Sequence, residues 1–364
     1  MITTVHGPFD DRIFHKEGKS LADAGFDVTV IAPHNKKETV SGIHIVPLSG
    51  TKNRLVRFFL AVVKTYFVAV RTGADIYHIH DPELLFTGFM LKLLNHKIII
   101  YDVHEDYGKK ILSKHWINKK FRPILSTILT VLERSISKFF DCLFLADANM
   151  ITNFKTGNME VIGNYPPLDF MTARPKANRP GVKIIYIGGV DQDRGSTVMI
   201  EMMQYLKNYN VELHVAGPLS NRCAPGLFTA VESIKYHGSV PWRNVSKLLA
   251  DADIGLLLLQ PTPSYVNCSG GGIIKLFEYM LMGLPVIVSD FPGLRKFIAE
   301  TECGICVDPT NPGKVAEAAR FLYENPQTRI EMGEKGRAAV KSKYNWENET
   351  GKLIKAYRRA LGSK

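Results

Sequence analysis

The chain has 364 residues, 45% of them hydrophobic and 22% charged, and carries 46 Lys and Arg against 35 Asp and Glu, a formal net charge of +11. It is too long for one compact core of ordinary size, so two well-packed domains of roughly 170 residues are expected. Five cysteines, an odd number without framework spacing, point to a reducing compartment with the cytosol as default; Arg54, Arg57, Lys64 and Arg71 interrupt the most hydrophobic stretch, and neither a membrane span nor a secretory leader is expected.

Short apolar runs alternate with helical periodicity from end to end, the pattern of parallel sheets flanked by helices. The first strand runs only from Ile2 to Val5 before a loop at His6, where a central strand of such a sheet usually has about five or six residues. Asp10, Asp11 and Arg12 follow, either capping the amphipathic helix after them or facing an acceptor. Further strands are expected over Asp27–Ala32, Ile43–Pro47, Asp75–Ile79, Lys97–Val103 and Cys142–Ala146, with helices between them. His104, just past a buried parallel strand, is a site candidate on that ground alone, and Glu105 and Asp106 beside it either orient it or touch an acceptor.

From Tyr107 to Phe140 eight basic residues stand against one acid, Glu133, so this segment alone carries +7. Its lysines are interleaved with Ile111, Leu112, Trp116, Ile117, Phe121, Ile124 and Leu125. That suits either an anionic lipid surface or the solvated basic face of a long helix, whereas the modules and stacking aromatics of nucleic-acid binding are absent. Asn164 to Gly181, with Pro166, Pro167, Pro175 and Pro180, reads as a linker. The second half begins anew at Val182 with VKIIYIGG and continues with VELHVAG from Val211, IKYHG from Ile234 and IGLLLL from Ile254. Helices are expected near Pro312–Asn325, Gln327–Lys343 and Trp346–Leu361. The last has an apolar stripe of Leu353, Ile354, Tyr357 and Leu361 that requires a partner surface. Ligands of open α/β sheets bind beyond the carboxyl ends of the strands, so chemistry is expected where two such sheets face each other across a cleft.

The most informative segment is SGGGIIKLFEYMLMGLPVIVS, from Ser269 to Ser289. Bare N–H groups at Gly271 and Gly272, flanked by Gly270 and Ile273, join the positive end of the following helix in a site suited to a pyrophosphate. Glu278 lies about 7 Å farther along, at roughly 1.5 Å per residue, where a carboxylate accepts both hydroxyls of a nucleoside sugar. Ile274, Phe277 and Leu281 form the expected buried stripe and leave Lys275 and Glu278 together on another face. The plainer alternative is a surface ion pair of those two residues. Cys303 and Cys306 bracket a turn into a short strand, and Asp251 and Asp253 read as a turn and cap, so no metal site is expected.

HGPFDDRIFHKEGKSLADAGFDVTVIAP, IYHIHDPELL, YDVHEDY, VIGNYPP, IGGVDQDRG, VAGPLS, YHGSVP, KLFEYMLMGLPVIVSD and KYNWEN, in that order and spacing, resemble the retaining glycosyltransferases of family 4 over nearly the whole chain. The resemblance implies the GT-B fold: α/β, with two facing Rossmann-like domains, parallel sheets and an interdomain cleft. It implies an acceptor domain over 1–164 completed by a C-terminal helix over about 346–364, a linker over 165–181, and a nucleotide-sugar donor domain over 182–345. The activity implied is transfer of a sugar from a nucleoside diphosphate sugar, UDP favoured over GDP, to an acceptor hydroxyl with retention and without a metal or other cofactor.

By motif match the family's ribose-binding glutamate falls on Glu278, its pyrophosphate cation on Arg194 in the loop that starts at Gly188, and its sugar-contacting histidine on His104. Asp10, Asp11, Arg12 and Glu105 fall on the acceptor side. A capping or surface role is the alternative for Arg194. Two departures matter: Gly270 stands where many members have a donor-gripping glutamate, and Gly189 stands where many have an arginine. Lys275 is expected to replace that missing cation, which makes His104, Arg194 and Lys275 the residues nearest the chemistry. The acceptor is expected to be a glycan or a lipid-linked glycan of surface polysaccharide or glycolipid synthesis, met in the cytoplasm at the inner face of the membrane through Lys109 to Arg122. Alternative readings are a sugar-nucleotide 2-epimerase and a non-catalytic sugar-nucleotide-binding subunit; a dinucleotide dehydrogenase lacks its G-x-G-x-x-G spacing.

Overall fold

The structure, a computed structural model, describes residues 1–48, 54–114, 116–170, 180–220, 223 and 226–362. His115 and residues 171–179, with Pro175 of the expected linker, lie outside the described residues. The chain divides into two compact units, Met1–Asn164 with Trp346–Lys364, and Tyr165–Asn345.

In the first unit β1 (Thr29–Pro33), β2 (Glu38–Val40) and β3 (Ile43–Leu48) pair in the order β1-β3-β2, with β2 antiparallel on the edge. β4 (Ile76–Ile79), β5 (Ile98–Val103), β6 (Cys142–Leu145) and β7 (Met159–Val161) form a parallel ladder in chain order. Every residue of β5 is buried, as in a parallel strand covered on both faces. Ile2 joins the two parts by bridging Ile31 and Ile79 in parallel, its N–H donating to the His78 carbonyl at 2.7 Å. The expected strand to Val5 ends there. Asp81 Oδ2 accepts from the N–H groups of Thr4 at 2.7 Å and Val5 at 3.3 Å, and Thr3 Oγ1 accepts from that of His6 at 3.0 Å. Side chains thus capture the donors that a longer ladder would need.

Asp11–Gly18 form a wide π-helical stretch continued by α1 (Lys19–Asp23). A Cβ on Gly18 would stand 2.9 Å from the Ile13 carbonyl oxygen, so this winding requires glycine there. α2 (Arg54–Thr72), α3 (Leu85–Asn95), α4 (Tyr107–Leu112) and α5 (Arg122–Ile136) follow. The basic segment is therefore two helices and not one. Asp106 caps α4 by accepting from the Lys109 N–H at 3.0 Å, and Pro123 stands at the start of α5.

In the second unit β8 (Val182–Ile187), β9 (Val211–Ala216), β10 (Ile234–Tyr236), β11 (Ile254–Leu257), β12 (Val286–Ser289) and β13 (Gly304–Val307) are all parallel, in the order β10-β9-β8-β11-β12-β13. This is the doubly wound dinucleotide-fold order, which reverses direction between β8 and β11. The flanking helices are α6 (Ser196–Tyr205), α7 (Gly226–Thr229), α8 (Trp242–Ala250), α9 (Ile274–Leu281), α10 (Pro292–Thr301), α11 (Pro312–Glu324) and α12 (Pro326–Ser342). Alternate residues of β8 enter different cores: Ile184 and Tyr186 pack with Met199, Met202 and Leu256, while Ile185 and Ile187 pack with Phe277, Tyr279 and Met280.

The terminal helix α13 (Trp346–Gly362) returns to the first unit, where Trp346, Leu353, Ala356 and Tyr357 pack with Ile13, Phe14, Val30 and Ile45. The expected stripe shifts at its ends, because Trp346 and Ala356 are buried while Leu361, in the last turn, is 40% exposed.

One buried acid couples this core to pH. Glu133 of α5 is buried and accepts from Tyr101 Oη of β5 at 2.6 Å. Burial pushes its carboxyl up to about 7, outweighing that hydrogen bond. The folded chain holds this proton more tightly than the unfolded chain, so the contribution is fully present below the ordinary carboxyl range and is lost as pH rises through 7. Glu133→Gln keeps the acceptor and removes the titration. Denaturant unfolding between pH 4.5 and 8 should show wild type losing up to about 3 kcal/mol relative to the variant; parallel curves would contradict it.

Candidate functional site

Two clusters lie at strand ends, one in each unit. In the second unit the sheet reverses between β8 and β11, so the loops after these two strands border the crevice in which open α/β sheets take ligands. The loop after β8 carries Gly188, Gly189, Asp191 and Arg194. The segment after β11 leads to Gly270–Gly272 and α9.

Asp191 caps a short 3₁₀ turn by accepting from the Arg194 N–H at 2.9 Å, and Arg194 Nη1 folds back onto the Gly189 carbonyl at 3.2 Å. A Cβ on Gly189 would stand 2.4 Å from Arg194 Nη1, so the guanidinium lies directly against this backbone. Lys275, in the first turn of α9, reaches the same place. Its Nζ donates to Tyr186 Oη at 3.1 Å and sits 4.2 Å from that ring's centroid. A Cβ on Gly188, whose φ is +106°, would stand 2.8 Å from Lys275 Nζ. Burial, and then Arg194, push the Lys275 ammonium down to about 7, while Glu278 and Asp191 pull the other way. Burial opposes the charge of Arg194 as well, but Tyr265, Tyr186 and Asp191 outweigh it and hold the guanidinium protonated.

Gly270–Ile273 form a turn in which the Gly270 carbonyl accepts from the Ile273 N–H at 2.8 Å, with Gly270 at φ +100°. Among the described residues no backbone acceptor is found for the N–H of Gly271 or Gly272. Helix α9 starts just beyond, at Ile274. It does not present the expected open polar face: Leu276 to Leu281 are all buried, Glu278 is only 4% exposed, and Lys275 is half-buried. The helix packs against β11, β12 and α12, whose Arg337 donates to the carbonyls of Leu281 and Met282 at 3.2 and 2.7 Å. Covering on several sides removes the solvent face that helical spacing alone predicts.

In the first unit the corresponding reversal lies at Ile2, between β1 and β4. The loops after Ile2, β4 and β5 bring together His6, Asp10, His80, Asp81 and His104. Asp10 caps the π-helical stretch by accepting from the N–H groups of Arg12 and Ile13 at 3.0 and 3.1 Å, and its other oxygen lies 3.0 Å from His6 Nδ1. The hydrogen bond to Asp10 pushes the His6 imidazole up against the cost of burial. His6 stacks on His104 with ring centroids 5.9 Å apart. His104 Nε2 lies 2.8 Å from Asp102 Oδ2. Asp11 pairs with Lys16 at 2.7 Å, and Glu105 pairs with Lys110 at the surface.

Arg12 departs from the expectation of an acceptor-facing residue. Its guanidinium is buried, donating to both carboxylate oxygens of Asp102 at 2.8 and 3.0 Å and to the Ile162 carbonyl at 3.1 Å. Glu17 Oε1 lies 2.9 Å from Arg12 Nε. Glu17, His78, His80 and Asp102 are the grouping among the described residues that could hold a metal ion. Arg12 already supplies the positive charge those carboxylates call for. Asp251 and Asp253 instead tie down the start of β8, Asp253 Oδ2 accepting from the Lys183 N–H at 2.9 Å, and burial pushes the Cys303 and Cys306 thiols up to about 11.

Sequence reasoning passed over Tyr186 and Asp191 in the second unit, and His6, Glu17, His80, Asp81 and Asp102 in the first. Strand parity offered a signal for part of this set. Asp102 and His104, like His78 and His80, are two residues apart at a strand end and so lie on one side of the sheet.

Residues 170–339 match the family described as glycosyl transferases group 1, and residues 11–150 match glycosyltransferase family 4. D-inositol 3-phosphate glycosyltransferase of Paenarthrobacter aurescens is 22% identical over 237 residues, covering 59% of this chain and 56% of that protein, so the match spans little more than half of the relative. D-rhamnosyltransferase WbpZ of Pseudomonas aeruginosa is 24% identical over 290 residues, 77% of this chain and 72% of that one. Among solved structures, sucrose-phosphate synthase from Thermosynechococcus elongatus superposes with a TM-score of 0.77 at 18% identity, over 95% of this chain and 92% of that one. Anabaena HepE, in complex with UDP-glucose, superposes with a TM-score of 0.73 at 13% identity, over 98% and 99%. At such identities the structural likeness speaks for the fold. With both units matched by family profiles, the chain belongs to the group 1, family 4 glycosyltransferases of the GT-B fold class.

Proposed function

We propose that the protein is a retaining glycosyltransferase that moves a hexosyl group from a nucleoside diphosphate sugar, UDP favoured, to a hydroxyl of a glycan or lipid-linked acceptor in surface polysaccharide or glycolipid synthesis. The observation that carries this reading is the convergence of Arg194 and Lys275 on the Gly188–Gly189 backbone, at the crevice bordered by the Gly270–Ile273 turn. Two cations on glycine backbone suit a diphosphate and little else of comparable size. UDP-glucose bound to HepE supports the choice of base. Glu278, about one turn into α9, is the ribose acceptor in this reading. The comparisons lend no support to the epimerase or the non-catalytic subunit.

In the reaction the bond from the anomeric carbon to the diphosphate breaks, and the acceptor oxygen bonds that carbon from the same face. The acceptor proton passes to the departing phosphate. Arg194 and Lys275 stabilise the charge that grows on the leaving group, with the Gly271 and Gly272 amides beside them and no metal or other cofactor required. His104 is the sugar-contacting residue in this reading.

Lys275 makes the reading testable. A diphosphate beside an ammonium whose titration lies near 7 favours its charged form, so binding at pH 8 takes up a proton and binding at pH 5.5 takes up almost none. Calorimetry of UDP binding at pH 8 in buffers of different ionisation enthalpy should report uptake approaching one proton, absent in Lys275→Ala. In thermal shift, UDP at a hundred times its dissociation constant should stabilise by about 2.7 kcal/mol, and Arg194→Ala and Lys275→Ala should each weaken binding. Unaltered affinity in both variants would sink the assignment.

The lipid side of the proposal rests on α5, whose outward face is apolar. Its inner face carries Glu133 and Ser126, whose hydroxyl donates to the Gly108 carbonyl at 2.7 Å. Its outer face carries Ile124, Leu125, Ile128, Val131 and Leu132, all exposed, next to exposed Trp116 and Phe121. Not all of Lys109 to Arg122 is available to lipid. Lys109 pairs with Asp106, Lys110 with Glu105, and Arg122 donates to the Ile117 carbonyl at 2.8 Å, whereas Lys119 and Lys120 are exposed. An apolar ridge beside exposed lysines suits the interface of an anionic bilayer. The chain should sediment with vesicles containing phosphatidylglycerol and much less with phosphatidylcholine alone. Ile128→Glu with Leu132→Glu should abolish that sedimentation while the UDP-induced thermal shift persists. Vesicle binding by the double variant, or loss of a dimer in its place, would contradict a lipid occupant.

A further inference from the structure

Beneath His104 lies a buried network that the proposed reaction has not used. Asp102 is fully buried at the end of β5, and its Oδ2 lies 2.8 Å from His104 Nε2, 2.8 Å from Arg12 Nε and 3.3 Å from His80 Nδ1. Its Oδ1 takes the Arg12 Nη2 bond at 3.0 Å, so the carboxylate is clamped in a bidentate fork and cannot rotate away. Arg12 is itself held by the Ile162 carbonyl, and the glycine-dependent π-helical stretch carries it inward.

We infer that Asp102, clamped by Arg12, is a positioning residue that accepts a hydrogen bond from the Nε2–H of His104 and so leaves Nδ1 as a hydrogen-bond acceptor for a sugar hydroxyl. The inference rests on the transferase reading for the identity of the hydroxyl, but the tautomer does not depend on it. A carboxylate accepts only, so the imidazole nitrogen facing it must carry hydrogen, and in a neutral ring the other nitrogen then bears the lone pair. Among the described residues His104 Nδ1 has no hydrogen-bonding partner.

The rest of the network fits the same proton assignment. His80 Nδ1 lies 3.3 Å from both Asp102 Oδ2 and His104 Nε2; with the His104 nitrogen carrying hydrogen toward the carboxylate, His80 Nδ1 donates to Asp102 as well, which leaves His80 Nε2 unpartnered at 3.9 Å from Glu17 Oε2. Burial, and then Asp102, push the Glu17 carboxyl up, while burial pushes the His80 imidazole down to about 4. Asp102, next to Arg12 and His104, stays ionised against the cost of its burial. His6, Asp10 and Asp81 form the rim of charge around the His104 ring, with His6 Nε2 at 3.9 Å from Asp81 Oδ1. His104 on this account orients a hydroxyl and does not protonate a leaving group.

The test is the nitrogen spectrum of His104 in the full chain, read by long-range proton–nitrogen correlation at pH 8, with the resonance assigned through His104→Gln. Wild type should show the Nε2–H tautomer; an Nδ1–H tautomer would overturn the inference without any variant having to fold. Asp102→Asn, which can offer His104 either oxygen or nitrogen, should populate both tautomers and lower kcat by about tenfold or more, while the UDP dissociation constant stays within about twofold. A folded Asp102→Asn enzyme with wild-type kcat would also overturn it. Should wild type bind no nucleotide and transfer no sugar, the transferase reading falls and the tautomer spectrum still decides the role of Asp102.

Discussion

The adjacency of β8 and β11, two parallel strands separated in the chain by β9, β10 and three helices, is the constraint on which the second unit depends. Where the strand order reverses, the connections leave in opposite directions, and the backbone beyond the strand ends is left uncovered. Arg194 enters that place from one loop and Lys275 from the helix that follows the other. Two cations are costly to hold together in a partly buried position, and the structure holds them with Tyr186, Asp191 and Tyr265. Gly188 and Gly189 have no side chains to compete for the space. A site with excess positive charge and bare amides is stable alone only at some cost, and an anionic ligand relieves it.

The first unit repeats the arrangement with different chemistry. There the reversal point is a single bridging residue, Ile2, and the loops beyond it are lined with imidazoles and carboxylates. Asp81 ends the short strand by accepting the N–H groups of Thr4 and Val5, and the same carboxylate faces His6. One residue therefore shapes the backbone and charges the site. Arg12 does similar double duty, linking the π-helical stretch to β5 through Asp102. Buried ion pairs of this kind are poor sources of net stability, since desolvation offsets most of the attraction. Their benefit here is geometric: the fork holds a carboxylate in one orientation under His104.

The outward-facing Ile124, Leu125, Ile128, Val131 and Leu132 of α5 reverse the usual arrangement of a surface helix. Glu133 explains how the chain tolerates this, because the acid on the inner face has its carboxyl pushed up to about 7 by burial and accepts a hydrogen bond from Tyr101. The helix is therefore built with its polar side satisfied internally. Its apolar side is free for a partner from outside the chain.

The α/β class was legible because each parallel strand is a short run of Val, Ile and Leu, such as Ile98–Val103 and Val182–Ile187, bounded by helical periodicity. Residue types with phosphate-binding potential were legible too, in the Gly270–Gly272 triplet and in Arg194 and Lys275. Spacing along the chain misjudged exposure, however. Glu278 falls on a polar face only if α9 has one open side, and packing against β11, β12 and α12 removes it. Arg12 reads as a loop cation, yet the π-helical winding that a local pattern does not reveal turns it into the core. By itself the sequence determined which backbone segments become strands and helices and which polar groups exist near their ends. Only the tertiary structure decided which of those groups meet, because strand order brings together loops scores of residues apart, and burial there sets whether each group is charged, paired or open to a ligand.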